Sequence, residues 1–171
     1  MARNVEIKAR LGDPEATRRL VERLAGGPGQ LVEQEDTFFH VPGGRLKLRE
    51  CSGADAELIY YRRPDAEGPK ASEYETTAVR DTGRLRELLA AALGVAGRVV
   101  KRRVVYRVGR TRIHLDDVQD LGSFLELEVE LAPEEPADLG VREAKRLMRA
   151  LEISDGALVA LAYVDLLSGR R

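Results

Sequence analysis

Polar and apolar residues alternate along much of this chain with a period of two. In residues 4–10, Val5, Ile7 and Ala9 point to one face of an extended strand, while Asn4, Glu6, Lys8 and Arg10 point to the other. Residues 45–49 repeat the pattern, setting Leu46 and Leu48 against Arg45, Lys47 and Arg49. Residues 30–39 and 57–63 also read as strands, the latter stopped by Pro64, and residues 72–77 follow with Glu73 and Glu75 on one face. Past mid-chain, residues 101–108 oppose Lys101, Arg103 and Arg107 to Val104, Tyr106 and Val108. Residues 112–116 return with Arg112, His114 and Asp116 against Ile113 and Leu115, and residues 124–131 place Glu126, Glu128 and Glu130 together.

The period becomes helical in a few places. Leu20, Val21 and Leu24 follow a start signal at Asp13-Pro14 and end at a glycine-rich break, Gly26 to Gly29. Leu85, Leu88, Leu89 and Leu93 form a second stripe, capped by Asp81 or Thr82 and ended at Gly94. Residues 141–151 and 158–167 predict two C-terminal helices separated by Ser154-Asp155-Gly156. About eight strands with mostly short turns and a few inserted helices predict an α+β fold. The expected form is an eight-stranded antiparallel closed barrel, covered by helices. The helices need the apolar faces of the strands, so the charged faces turn inward and line a tunnel.

Length and composition narrow the reading. The chain has 171 residues, within the usual span of one domain, and residues 1–171 are expected to form one. A net charge of −1 gives no electrostatic case for nucleic acid or an anionic membrane. Cys51 stands alone and forms no intrachain disulfide, and no apolar run approaches the ~20 residues needed to span a bilayer. The expectation is a soluble, cytoplasmic protein.

The expected lumen holds Lys47, Arg49, Arg62, Lys101 and Arg103, with Glu6, Asp116, Glu126 and Glu128 on the same surface. Uncompensated charges in such a place cost several kcal/mol each. Either the two sets neutralise each other as a salt-bridge network, or they form a split site in which carboxylates hold a hard divalent cation and the bases grip phosphate oxygens. The split site is the favoured reading. Arg63 adjoins Arg62, and a one-residue slip in register exchanges them. His114 falls on the lumen face and is expected to play a hydrogen-bonded structural role, while His40 is expected to be exposed. Glu73 and Glu75 are candidates for orienting lumen cations, and Tyr60 is read as a packing residue.

The Glu-x-Lys segment at Glu6 and Lys8, the run Arg45-Leu46-Lys47-Leu48-Arg49, Lys101-Arg102-Arg103, and Asp116 followed by Leu121-Gly122-x-Phe124-x-Glu126-x-Glu128 resemble, in this order, the CYTH superfamily. That family comprises class IV adenylyl cyclases, thiamine triphosphatases and inorganic triphosphatases, the triphosphate tunnel metalloenzymes. The resemblance implies that Lys8, Lys47, Arg49, Arg62, Lys101 and Arg103 bind a triphosphate. It further implies that Glu6, Asp116, Glu126 and Glu128 hold Mg²⁺ or Mn²⁺, with Glu6, Lys8 and Glu126 carrying the catalysis. Asn4 departs from the first glutamate of the family's Glu-x-Glu-x-Lys motif and removes a negative charge there. The implied activity is metal-dependent hydrolysis of a triphosphate: inorganic tripolyphosphate, thiamine triphosphate or a nucleotide. One alternative is a class IV adenylyl cyclase making cyclic AMP and pyrophosphate from ATP, and another is a non-catalytic polyphosphate or nucleotide binding module. The expected partner is a small molecule carrying a triphosphate, with no nucleic acid and no membrane, and a homodimer is compatible with the sequence.

Overall fold

Alternation of this kind has one stable outcome when both faces of every strand must be covered, and the chain takes it. The computed structural model describes residues 1–169. Eight strands, β1 (Ala2–Arg10), β2 (Gln30–Phe39), β3 (Arg45–Cys51), β4 (Ala56–Arg62), β5 (Lys70–Val79), β6 (Val95–Val108), β7 (Thr111–Val118) and β8 (Gly122–Leu131), close into a barrel in the order β1-β5-β4-β3-β2-β6-β7-β8. Every pairing is antiparallel. Closure leaves no strand edge unpaired along the cycle.

Helices α1 (Pro14–Ala25) and α3 (Ala137–Ala150) cover the outside of β6 and β7 and of β1 and β8, respectively. Val5, Ile7 and Ala9 pack with Leu125, Leu127 and Val129 beneath Ala144, Leu147 and Met148 of α3 and Val21 of α1. Full burial of each large aliphatic residue contributes ~1.5–3 kcal/mol, so this outer layer carries much of the stability. Gly140 lets α3 approach closely, since a Cβ there would stand 2.7 Å from the Val5 side chain. Asp13 caps α1 by accepting from the Ala16 amide, and Asp81, not Thr82, caps α2 (Thr82–Leu93) by accepting from Arg84. Helix α2 covers β2 and β3 only partly and leaves Leu88 exposed.

Several boundaries differ from the sequence pattern, among them the start of α3 at Ala137, four residues before the expected one. Strand β6 begins at Val95, six residues before the charged alternation, because the full length of β2 pairs with it from Gln30↔Val105 to Phe39↔Val95. Strand β5 runs from Lys70 to Val79, longer at both ends than the pattern suggested. The expected helix over 158–167 is confined to α4 (Tyr163–Leu167), after a 3₁₀ turn at Asp155–Ala157. The reason lies in β1: β5 pairs with it only as far as Glu6, so Leu158 bridges Ala9, and the Val159 amide donates to the Lys8 carbonyl at 2.9 Å. That contact draws residues 158–162 out of helical geometry.

The lumen is not charged throughout. Phe38, Val99, Val118 and Phe124 turn inward at one end and pack with Ala162, Tyr163 and Val164, so α4 stoppers the barrel with an apolar layer. Phe124 and Tyr163 meet edge to face, with ring centroids 5.0 Å apart. The charged groups occupy the lumen beyond this layer.

Candidate active site in the barrel lumen

Register decides which side chains reach the lumen. Cross-strand partners share a face, and the pairs Lys8↔Glu126, Glu6↔Glu128, Arg103↔Asp116 and His114↔Glu126 bring β1, β6, β7 and β8 together there. The pairs Asp36↔Arg49 and Gln34↔Lys101 add β2, β3 and β6. Lys8, Lys47, Arg49, Lys101, Arg103, Glu6, Asp116, Glu126 and Glu128 therefore all lie where the sequence placed them. Arg62 does not. It pairs across from Glu73 on the outer face, is exposed, and donates from Nε to the Tyr60 hydroxyl at 2.8 Å. Arg63, one position on, turns inward and ion-pairs with Glu6. Glu73 and Glu75 are likewise exposed on the outer face. Tyr60 also faces outward and donates to the Gly43 carbonyl, and His40 is exposed as expected.

On the β2–β3 side, the buried Asp36 accepts from Lys47 Nζ at 3.0 Å, Arg49 Nε at 2.9 Å and Arg49 Nη2 at 3.0 Å, and Gln34 donates to it at 3.2 Å. Burial works to raise the Asp36 carboxyl, but Lys47 and Arg49 overcome it and hold it well below the usual carboxylate range. Burial and the neighbouring Arg49 push Lys47 down to about 8, against the opposing pull of Asp36.

On the opposite side, Asp116 is committed to its neighbours. It accepts from Arg103 Nε at 2.7 Å and Nη2 at 2.6 Å, and from the Tyr163 hydroxyl at 2.9 Å, with Lys101 Nζ at 3.5 Å. Despite burial, Arg103 and Lys101 bring its carboxyl down to about 2. Arg103 also reaches Glu126, whose other oxygen meets Lys8 Nζ at 3.1 Å. The Lys8 ammonium lies 3.7 Å over the Tyr163 ring and donates to the Leu161 carbonyl. Glu128 pairs with Arg112 at 2.9 Å.

Glu6 behaves differently from the other acids. Burial raises its carboxyl above the ordinary value, Glu128 and Glu126 push the same way, and Arg63 only partly offsets them. Lys70, unremarked in the sequence, also faces the lumen; it donates to the Ala66 and Ala160 carbonyls at 2.6 and 3.0 Å, and burial with Arg63 nearby lowers it to about 8.

Among the described residues, several buried polar atoms have no hydrogen-bond partner, including the Thr37 and Thr111 hydroxyls and three side chains of the lumen. Nε and Nη2 of Arg63 make no hydrogen bond, Nη2 standing 3.9 Å from Asp65 Oδ1, although the side chain is only 6% exposed. Asn4 Oδ1 and His114 Nδ1 are buried without a hydrogen-bond partner. His114 thus lacks at Nδ1 the structural hydrogen bond that its position suggested. Ligand atoms of His114, Glu126 and Glu128 lie within 4.8 Å of one another, a nitrogen and oxygen set that fits a divalent cation. Glu6 and Asp116 fall outside that group; the first is paired with Arg63 and the second with Arg103.

Sequence reasoning missed Asp36, Lys70 and Tyr163, and named Arg63 only as the residue that a register slip would exchange with Arg62. Only Arg63 had a signal, the Arg-Arg doublet before Pro64. Among the described residues, no helix is long and apolar enough to cross a membrane.

The geometry agrees with comparisons to other proteins. A candidate adenylate cyclase of Methanocaldococcus jannaschii is 26% identical over 179 positions, covering 95% of this chain and 97% of the relative. Among solved structures, the PH1012 protein of Pyrococcus horikoshii superposes with a TM-score of 0.82 at 24% identity, covering 95% of this chain and 98% of that one. A protein of Hippeastrum, described as an adenylyl cyclase candidate with a dominant triphosphatase activity, superposes with a TM-score of 0.65 at 19% identity, covering 98% and 97% of the two chains. The CYTH domain profile matches residues 2–163, the whole of the barrel and the chain as far as the first residue of α4, and the chain belongs to the CYTH domain family.

Proposed function

We propose that the lumen binds a triphosphate and, with a divalent cation, Mg²⁺ or Mn²⁺, hydrolyses its terminal phosphate. The observation that carries this reading is the excess of buried donors. Lys8, Lys47, Arg49, Arg63, Lys70, Lys101 and Arg103 face Glu6, Asp36, Asp116, Glu126 and Glu128, and Arg63 keeps two buried donor nitrogens without an acceptor. A polyanion with many acceptor oxygens matches that surplus, and the arginine forks suit phosphate. Triphosphatase activity is attributed by description to the Hippeastrum neighbour.

In this reading Lys47 and Arg49 on one wall, and Lys101 and Arg103 on the other, hold the chain of phosphates, with Arg63 replacing Arg62 in the role that the family resemblance assigns. Asp36 and Asp116 fix the rotamers of those bases. Water attacks the terminal phosphorus, the bond to the bridging oxygen breaks, and the leaving diphosphate departs with its negative charge facing Lys8. Glu6 is the base, since its raised carboxyl beside Arg63 can accept the proton of the attacking water. Glu126 and Glu128, with Asn4 supplying a neutral oxygen, would hold the metal. When bound there, the metal neutralises phosphate oxygens and acidifies water. Exclusion of bulk water by the Tyr163 stopper strengthens each of these interactions.

A second reading has support in the M. jannaschii relative's name: the same lumen bound to ATP, with the ribose 3′-hydroxyl attacking the α-phosphorus to give cyclic AMP and pyrophosphate. Incubation with tripolyphosphate, thiamine triphosphate or ATP plus Mg²⁺ or Mn²⁺, with the products resolved, separates the two. Orthophosphate supports hydrolysis and cyclic AMP supports cyclisation. Glu126→Gln should retain triphosphate binding but lower the rate on the order of 10²-fold. Absence of products with every substrate, or an unaltered rate in the variant, overturns the enzymatic reading.

A further inference from the structure

We infer that His114 is a direct nitrogen ligand to the lumen's divalent cation, making this a mixed imidazole and carboxylate site that favours Mn²⁺ and later transition ions over Mg²⁺. The inference rests on the proposal that the tunnel is metal-dependent and adds to it the identity of one ligand and the class of ion.

The geometry is specific. His114 projects from β7 into the lumen at 4% exposure, and its Nδ1 has no hydrogen-bond partner. The same atom stands 3.9 Å from Glu126 Oε2 and 3.8 Å from Glu128 Oε1. These distances are too long for hydrogen bonds. They are compatible with a shared ion, since two ligand atoms each ~2.1 Å from one cation can lie up to ~4.2 Å apart. The rest of the cluster supports the same assignment. Lys8 holds Glu126 through Oε1 and Arg103 holds it through Oε2, the oxygen that faces His114, while Arg112 holds Glu128 through Oε2 and leaves its Oε1 toward the imidazole. A buried imidazole nitrogen that faces two carboxylate oxygens beyond hydrogen-bond reach is an environment that a shared cation completes.

The ligand type sets the preference. Mg²⁺ takes oxygen almost exclusively and keeps much of its water, whereas an imidazole suits Mn²⁺ moderately and the later first-row ions increasingly. A purely carboxylate site would lack that bias. His114 therefore acts as a selectivity device within the cluster.

The test uses Mn²⁺ as the probe with the full chain, with and without tripolyphosphate. Electron spin echo measurements on the Mn²⁺-loaded protein should show modulation from a directly bonded ¹⁴N, converted to the ¹⁵N pattern by histidine labelling. In His114→Gln the nitrogen modulation should vanish and Mn²⁺ affinity, by calorimetry, should fall about tenfold or more, while Mg²⁺ affinity changes by less. His114→Asn provides a second variant should the first misfold, and far-ultraviolet circular dichroism checks both. Mn²⁺ binding that depends on Glu126 and Glu128 but shows no nitrogen coupling overturns the inference and leaves the tunnel reading standing. Failure of Mn²⁺ to bind under either condition overturns both. Equal losses of Mg²⁺ and Mn²⁺ affinity in the folded His114 variants overturn the selectivity.

Discussion

Arg63 and His114 are both buried in the lumen and both incompletely bonded, but in opposite senses. Arg63 has donor hydrogens without acceptors, and His114 has a ring nitrogen without a partner beside two carboxylates. An anion completes the first environment and a cation completes the second. Unmet buried groups cost ~1–3 kcal/mol apiece, so both remainders favour an occupied lumen. In the proposed function, the contrast separates a phosphate-holding region from a metal-holding region within one tunnel, with Glu6 joining them through its pair with Arg63 and its proximity to Glu128.

The largest disturbance of that division is Arg103→Ala. Arg103 is fully inside and satisfies both Asp116 and Glu126. Its loss removes the shortest ion pairs of two carboxylates, which keep Lys101, Tyr163 and Lys8, so the destabilisation should reach no more than the about 3–5 kcal/mol of a broken buried pair. Chemical denaturation should report this loss, and calorimetry with tripolyphosphate should show binding weakened as well. Retention of both stability and affinity would mean that Arg103 does not join the two regions.

A smaller effect comes from pH. The Lys47 ammonium, lowered from 10.5 to about 8 by burial and Arg49, must be charged to hold an anion. Affinity for tripolyphosphate should therefore weaken as pH rises through about 8, by up to tenfold per unit for one linked proton. Binding at that pH should take up protons, measurable by calorimetry in buffers of different ionisation enthalpy. Lys47→Arg, which remains charged, should take up fewer. In the free protein the sign is opposite: between about 8 and 10.5 the unfolded chain holds more lysine protons than the folded one, so this residue's contribution to stability grows as pH rises across that window.

The barrel was legible because most strands separate charge from hydrocarbon strictly. β1 and β3 alternate almost without exception, and register then carries each charge to the lumen. Asp36 was not legible, because Glu33 and Glu35 carry similar charges on the outer face of the same strand, and nothing in β2 says which acids turn inward. Only pairing with Arg49 across the sheet decides it. Tyr163 stayed hidden for a different reason. It sits in an apolar run that reads as one helix, and the bend depends on the free stretch of β1 beyond Glu6, a tertiary fact. His114 was placed on the correct face, but the distances that distinguish a ligand from a hydrogen-bonded core residue exist only in three dimensions.

The smallest expected effect is also the sharpest check on register. Arg62 and Arg63 are chemically identical neighbours, and a one-residue shift in β4 would exchange their environments. Arg62 lies outside, stacked near the Tyr60 ring at 5.6 Å, so Arg62→Ala should change stability by no more than about 0.5 kcal/mol and leave tripolyphosphate affinity unchanged. Arg63→Ala should leave Glu6 without its cation, raise that carboxyl further and weaken binding of the anion. Titration of Glu6 followed by carbon-detected NMR, together with calorimetry on both variants, measures the difference directly. If Arg62→Ala weakens binding while Arg63→Ala does not, β4 is paired one residue out of step, and the donors without acceptors belong to the outer surface of the barrel.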